Sequence, residues 1–354
     1  MTRKMATIRK IDAINPIAGA DAIEVATVGG WKVVVKKGEF TAGDLAVYCE
    51  IDSWIPTGLA PFLSKGKEPR EYNGVKGERL RTVKLRGQVS QGLLLPTQTK
   101  EILHENLPFN ISFIIVGDAR HPVNEGEDVS ELLGIRKWEA PIPAQLAGVM
   151  RGSFPSFIRK TDQERIQNLK KELEHWNTEY NTWEVTEKLD GSSMTVYFNN
   201  GVFGVCSRNI DLVRDENNAF WKTAISAGLE KMLTDHGANL ALQGELVGEG
   251  IQGNPYGLTG QKFYLYNIFN IDQQEYLSPW AVRPWAILTG VLHVPLLERE
   301  MSLTGTTIDY LLDYAEGKSA LNNNVEREGV VFKRNGQNYT SFKAISNKFL
   351  MGEK

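Results

Sequence analysis

The sequence predicts a multidomain protein: an N-terminal all-β OB-fold barrel followed by an α+β domain with antiparallel sheets. Three observations carry this. Residues 1–145 are a series of short alternating apolar runs with no helical period, residues 146–160 lie in a stretch rich in Pro, Ala, Gly and Ser, and helix-period stripes appear only afterwards. A chain of 354 residues, 42% hydrophobic and 23% charged, is long enough for two separate cores.

In the first part the spacing predicts strands over 7–11, 23–28, 31–35, 45–51, 79–85 and 89–95, punctuated by Gly29-Gly30, Gly38, Pro56-Thr57-Gly58 and Gly87. Their number, the turns and the basic loops suit an OB-fold. Residues 142–157 read as the linker, so the domains are expected at 1–145 and 161–354. Thr161-Asp162-Gln163-Glu164 has the form of a capping box opening a helix with Ile166, Leu169, Leu173 and Trp176 on one stripe. A second helix is expected over 215–235 and a third over 308–315. Strands fill the rest.

Composition narrows the function classes. No run approaches a membrane span, and the start lacks the apolar core of a signal peptide, so a cytoplasmic location is expected. Cys49 and Cys206 lie in apolar strands, where buried thiols are expected, and five scattered His without Cys-x-x-Cys argue against zinc. A net charge of −3 is not that of a protein coated for nucleic acid. Basic residues nevertheless cluster at Lys32, Lys36 and Lys37, at Lys65, Lys67 and Arg70, and at Lys76, Arg79, Arg81, Lys84 and Arg86. That pattern suits a protein gripping phosphates on one face.

The chemistry concentrates around Lys188-Leu189-Asp190-Gly191, at the end of an alternating strand. Residues i and i+2 of a strand share a face, so the Lys188 amine and the Asp190 carboxylate can address one phosphate or metal site. A free lysine is almost wholly protonated at neutral pH, so a nucleophilic one needs neighbouring cations or burial. A hydrated divalent metal, Mg²⁺ or Mn²⁺, beside Asp190, Glu245 and Glu328 would meet that need. Lys333, Lys343 and Arg208 are cations that could stabilise phosphate charge, and Tyr266 offers an aromatic face. Glu187, next to the nucleophile, is grouped with the nucleotide-binding residues. Glu328 and Lys333 lie an odd number of residues apart, so one site can use both only if the chain bends at Gly329 or Glu328 precedes the strand.

The motifs run in order: Lys188-Leu189-Asp190-Gly191, Ser207-Arg208-Asn209, Gln243 to Gly248, Phe263 to Phe269, Arg327 to Lys333, and Ser341 to Lys348. Six collinear motifs across about half the chain resemble those of the covalent nucleotidyltransferases, the superfamily of ATP-dependent DNA and RNA ligases and capping enzymes. The β-barrel comes first, and the chain ends soon after Lys343 without room for the C-terminal OB domain of DNA ligases and capping enzymes. With Gly19 to Glu24, Gly43 to Tyr48, Leu85 to Gly92 and Phe154 to Asp162, this order resembles the fifth family of ATP-dependent RNA ligases over essentially the whole chain.

The resemblance implies an OB domain joined to a nucleotidyltransferase domain of ATP-grasp-like ligase fold, with ATP as AMP donor. By similarity Lys188 is the adenylated lysine; Asp190, Glu245 and Glu328 engage the hydrated metal; Tyr266 packs on adenine; and Lys333 and Lys343 contact the α-phosphate. Two departures stand out. Asn267 occupies a position that is acidic in phage relatives, and Ile345 stands where they carry a second lysine, a gap that Lys348 could fill. The expected function is sealing of 3′-OH and 5′-phosphate RNA ends, at nicks in duplex RNA or an RNA–DNA hybrid with an RNA 3′-OH strand, by a monomer acting in RNA repair. The alternatives are an RNA-capping guanylyltransferase, an ATP-dependent DNA ligase, and outside catalysis an RNA-binding OB protein.

Overall fold

The computed structural model describes residues 3–104, 107–139, 148–336 and 339–352, with side chains outside 99–111. Two compact units divide between Pro141 and Ile142.

The first unit is built from small antiparallel sheets. Ala6–Lys10, Leu45–Cys49 and Leu93–Pro96 form one; Ala13–Pro16, Ile23–Val28 and Trp31–Lys36 a second; and Ser53–Pro56 pairs with Val75–Arg79 in a third. Alternation sets the burial: Trp31, Val33 and Val35 enter the core while Lys32, Val34 and Lys36 face outward. The strand expected over 79–85 breaks instead. Leu80 plugs into the core, and Val83–Leu85 leaves to pair with Gln88–Ser90 in a hairpin turned at Arg86-Gly87, both at positive φ. The strand expected over 89–95 is also two strands, because Gln91 gives its carbonyl to the Tyr48 hydroxyl and its N–H to Lys32.

The second unit has two antiparallel sheets with one parallel edge pair. In the five-stranded sheet the order is Glu164–Arg165, Ser341–Ile345, Gly329–Arg334, Thr182–Lys188 and Leu296–Ser302. In the seven-stranded sheet Ser192–Asn199, Leu240–Gly248 and Gln261–Asn270 lie side by side. Trp183, Val185, Phe332 and Phe342 bury one face of the first sheet against the helices Lys170–Trp176 and Ile308–Ala315. Helices Ala219–Ser226, Leu229–His236 and Pro279–Thr289 cover one face of the second. The helix expected over 215–235 is thus two, broken at Gly228, and that over 308–315 forms as expected.

The capping-box expectation fails because a tertiary pairing overrides it. Glu164–Arg165 is a strand running parallel to Phe342 and Lys343, a 3-10 turn follows, and the helix starts only at Lys170. Thr161 instead places its hydroxyl 3.2 Å from that of Tyr266. Met150–Ser153, inside the segment read as linker, pairs with Ile210–Leu212 at the edge of the large sheet, while 142–147 lie outside the described residues. Both cysteines are buried and unbridged.

Candidate active site

The chain passes from one sheet to the other at Leu189-Asp190-Gly191, and the site is built there. Lys188 is the last residue of its strand, paired with Gly329. Gly191 lies so close to the next sheet that a Cβ would come 2.5 Å from the Leu246 carbonyl and 2.8 Å from Glu245 Cγ, so only glycine lets Asp190 and Glu245 converge. The Asp190 N–H donates to the Tyr256 hydroxyl at 2.6 Å, and Gln252 Nε2 donates to the Gly191 carbonyl at 3.2 Å.

Lys188 Nζ donates to Glu328 Oε2 at 2.5 Å. Glu328 precedes its strand, which begins at Gly329. A Cβ at Gly329 would meet the Ala344 carbonyl at 2.2 Å, so this glycine lets the two strands close while Glu328 turns back to Lys188. That settles the odd spacing of Glu328 and Lys333. Burial depresses the Lys188 ammonium, but Glu328, Glu245 and Asp190 outweigh it and the net effect raises its pKa. Without a cation the carboxylates thus favour the protonated amine; the depressed nucleophile is expected with a divalent metal beside them. The same crowding appears on the acids. Burial and the neighbouring carboxylates push Glu245 up to about 8, against the pull of Lys188, and Asp190 rises to about 6, from burial first and Glu328 second.

Strand register places the lysines. Glu184 pairs with Lys333, Thr186 with Val331 and Lys188 with Gly329, while Val331 also pairs with Lys343. Directly opposed residues share a face, so Glu184, Lys188, Lys333 and Lys343 all project to one side. Lys343 lies 3.9 Å from Asp162 and beside Arg165 across the parallel pair. Lys333 is buried, donates to the Tyr266 carbonyl and stands 5.9 Å from the Tyr266 ring centroid. Burial brings Lys333 down to about 8, against the opposing pull of Glu184.

Tyr266 owes its place to a β-bulge. Gln243 pairs with Asn267 and Gly244 with Leu265, so Tyr266 is the extra residue of its strand. The core shows the phase change: Phe263 and Leu265 enter it before the bulge and Ile268 after it. Freed from the ladder, the Tyr266 carbonyl accepts from Lys333 and its hydroxyl reaches Thr161 and Ser193. Asn267, at the position acidic in phage relatives, exchanges hydrogen bonds with the Tyr339 hydroxyl.

Three residues sit apart from expectation. Glu187 projects to the face opposite Lys188, where its buried carboxylate accepts from the Ala320 N–H at 2.8 Å and braces the strand. Lys348 pairs with Glu316 at 2.9 Å and does not fill the place of the second lysine. Arg208 is exposed on the turn closed by Ser207 and Ile210, where its charge lowers Glu245. Sequence reasoning missed Glu184, Arg165 and Tyr256. Only Glu184 left a signal, its spacing of four from Lys188 along one strand face.

Among the described residues no three His, Cys, Asp or Glu are set to grip a metal directly. The charge balance still calls for a cation: three carboxylates face one ammonium, and two of them are held above the usual carboxylate range.

Comparison with known proteins agrees with this architecture. Residues 5–97 match the model of an OB-fold domain family, and residues 181–345 match the RNA ligase family. No curated protein matches. Among solved structures, Naegleria gruberi RNA ligase with pyrophosphate is 46% identical, with 99% of this chain and 98% of that one covered and a TM-score of 0.83. A variant of that ligase with AMP and Mn is 46% identical, covering 98% of each chain at a TM-score of 0.83. Another variant, with ATP and Mn, is 45% identical over 98% of each, at 0.82. The chain belongs to the RNA ligase family. It is an RNA ligase with an N-terminal OB-fold domain. Among the described residues no helix is long and apolar enough to cross a membrane.

Proposed function

We propose that this enzyme uses ATP to join a 3′-OH RNA end to a 5′-phosphate through a lysyl-AMP on Lys188, acting at nicks whose 3′-OH strand is RNA. The observation that carries the reading is the convergence of Asp190, Glu245 and Glu328 on the Lys188 amine, with Lys333 and Lys343 projecting from the same sheet face. The ATP and Mn in structures of the Naegleria relative support the choice of nucleotide and of Mn²⁺ or Mg²⁺.

In the first step the Lys188 amine attacks the α-phosphorus, a P–N bond forms and pyrophosphate leaves. In the second the 5′-phosphate of the RNA displaces Lys188 and becomes adenylylated. In the third the 3′-OH attacks that 5′-phosphate and AMP departs. Asp190, Glu245 and Glu328 would hold the divalent cation, which when bound neutralises phosphate charge and offsets the carboxylates that keep Lys188 protonated. Lys188 must give up its proton before attack, so the hold of Glu328 upon it has to loosen. Tyr266 supports the adenine, Lys333 fixes Tyr266 and adds charge on that side, Lys343 contacts the α-phosphate, and Arg208 approaches ribose or phosphate. The domain division at 1–145 and 161–354, a monomeric cytoplasmic enzyme and a role in RNA repair complete the reading.

Incubation with α-labelled ATP and Mn²⁺ tests it. An acid-labile, hydroxylamine-sensitive AMP adduct is expected on Lys188, lost in Lys188→Ala and in Lys188→Arg, since arginine stays protonated and cannot attack. Labelling of Lys188→Arg would move the nucleophile elsewhere, and labelling by GTP in place of ATP would favour the capping reaction.

A further inference from the structure

The mechanism leaves Glu184 unused, although it lies under the same sheet face. It stands directly opposite Lys333 in the antiparallel register, and the two are among the most buried charged side chains, 4% and 2% exposed. Burying a carboxylate and an ammonium is costly unless each serves the other. Among the described residues Glu184 is the one acidic group whose charge acts on Lys333, which donates to the carbonyl of the bulged Tyr266 and stands 5.9 Å from its ring centroid.

The other side of Glu184 is also built. It forms the floor of a cleft of about 320 Å³ lined by Trp280, Arg283, Ile287, Arg299 and Glu300. Burial raises the Glu184 carboxyl above its ordinary value, and Lys333 from within and Arg283 and Arg299 from the cleft side pull against that rise in favour of the ionised form. Arg283 and Arg299, Glu184 and Lys333 thus alternate in charge between the cleft and the Tyr266 carbonyl, each acting on the next through its field, with Lys333 hydrogen-bonded to that carbonyl. His293 lies beside Lys333 and Arg283 but carries no charge at working pH: burial, then Lys333, brings it down to about 4, while its Nδ1 meets the Val294 carbonyl at 2.8 Å. Tyr339 and Tyr266, the remaining titratable groups near the pair, are both shifted upward by burial and stay neutral.

We propose that Glu184 is a positioning residue that holds charged Lys333 against the Tyr266 carbonyl and so fixes the ring on which the base of ATP rests. The inference deepens the ligase reading and depends on it. A neutral Lys333 could keep one N–H on the carbonyl but would lose its attraction to the ring and its field at the nucleotide. Glu184 therefore acts through Lys333 without touching the reacting atoms.

The test is the pH profile of Lys188 adenylation in single turnover at saturating ATP, for wild type, Glu184→Gln, Lys333→Arg and the double variant. Wild-type rates should fall above about pH 8 as Lys333 loses its proton. Glu184→Gln should bring that fall to lower pH by about one unit and raise the KM for ATP roughly tenfold. In Lys333→Arg the fall should vanish, since guanidinium keeps its proton, and adding Glu184→Gln should then leave the profile unmoved. A Glu184→Gln profile scaled down in parallel with wild type, at every pH, overturns the proposal and leaves a merely structural carboxylate. Should Glu184→Gln fail to fold, Glu184→Asp is read instead, and an unmoved fall there has the same meaning. Absence of any wild-type adduct would strike the ligase reading itself, whereas an adduct with an unmoved profile strikes only the role of Glu184.

Discussion

Replacing Glu245 with glutamine probes the charge balance of the site without requiring turnover. Burial, together with Glu328 and Asp190, raises the Glu245 carboxyl from its ordinary 4.5 to about 8 in the folded protein. Between those values the folded chain keeps a proton that the unfolded chain has released, so stability falls as pH rises. The slope is up to about 1.4 kcal/mol per pH unit, or about 4 kcal/mol between pH 5 and 8. Asp190, raised from 3.8 to about 6, adds a smaller fall at the acid end. Lys188, raised above 10.5, stabilises fully throughout this range and contributes no slope. In EDTA the wild-type melting temperature should therefore drop from pH 5 to pH 8. Glu245→Gln should remove most of that drop and be more stable than wild type at pH 8 by about 2 to 4 kcal/mol, roughly 5 to 10 °C for a unit of this size. Mn²⁺ at pH 8 should raise the wild-type melting temperature and raise that of Glu245→Gln less. Scanning calorimetry of both proteins at the two pH values, in EDTA and in Mn²⁺, reads all of this. A wild-type melting temperature flat from pH 5 to 8 in EDTA, with Glu245→Gln no more stable at pH 8, would refute the reasoning.

Two further predictions address the division of labour. Asp190→Ala and Glu328→Ala should each slow both lysine adenylation and the joining of pre-adenylated nicked RNA by about a hundredfold or more, since one cation site serves both steps; wild-type joining by Glu328→Ala would remove Glu328 from the shared site. A fragment beginning at Gly148 should form its own AMP adduct poorly yet still join pre-adenylated nicked RNA, if residues 1–145 align the β- and γ-phosphates; adenylation at the full-length rate, with joining lost, would assign those residues to RNA binding instead.

Much of the site was legible because its residues are tied by strand parity. Lys188 and Asp190 could be put together from spacing alone, and the odd separation of Glu328 and Lys333 itself demanded the break that the start of the strand at Gly329 supplies. What stayed hidden depends on contacts between distant segments. Phe263 to Phe269 reads as a plain aromatic strand, and nothing in it marks Tyr266 as the bulged residue, since the bulge exists only in register with Gln243 and Gly244. Thr161 satisfies the local rule for a helix cap, and tertiary pairing of Glu164–Arg165 with Phe342 and Lys343 overrides it. In the first unit Arg79 looked like one more phosphate-facing cation, yet it pairs with Asp52 at 2.5 Å and lies over Trp138, leaving Arg81 and Arg86 exposed around the hairpin.

Lys188 and Lys333, on one face of the sheet, are shifted in opposite directions in the same low-dielectric interior, and the difference lies in how many carboxylates each faces. Lys188 meets three, led by Glu328, and they raise its pKa above the ordinary lysine value. Lys333 meets one, and burial leaves it only marginally protonated near pH 8. In the proposed reaction the first arrangement would keep the amine protonated until a cation that also neutralises the α-phosphate offsets the carboxylates. A fixed electrostatic support gains from a single carboxylate, which opposes the loss of charge caused by burial while the lysine stays packed against the ring. The strand register that places Glu184 opposite Lys333, and Glu328 one residue before the partner of Lys188, separates these roles along two neighbouring strands.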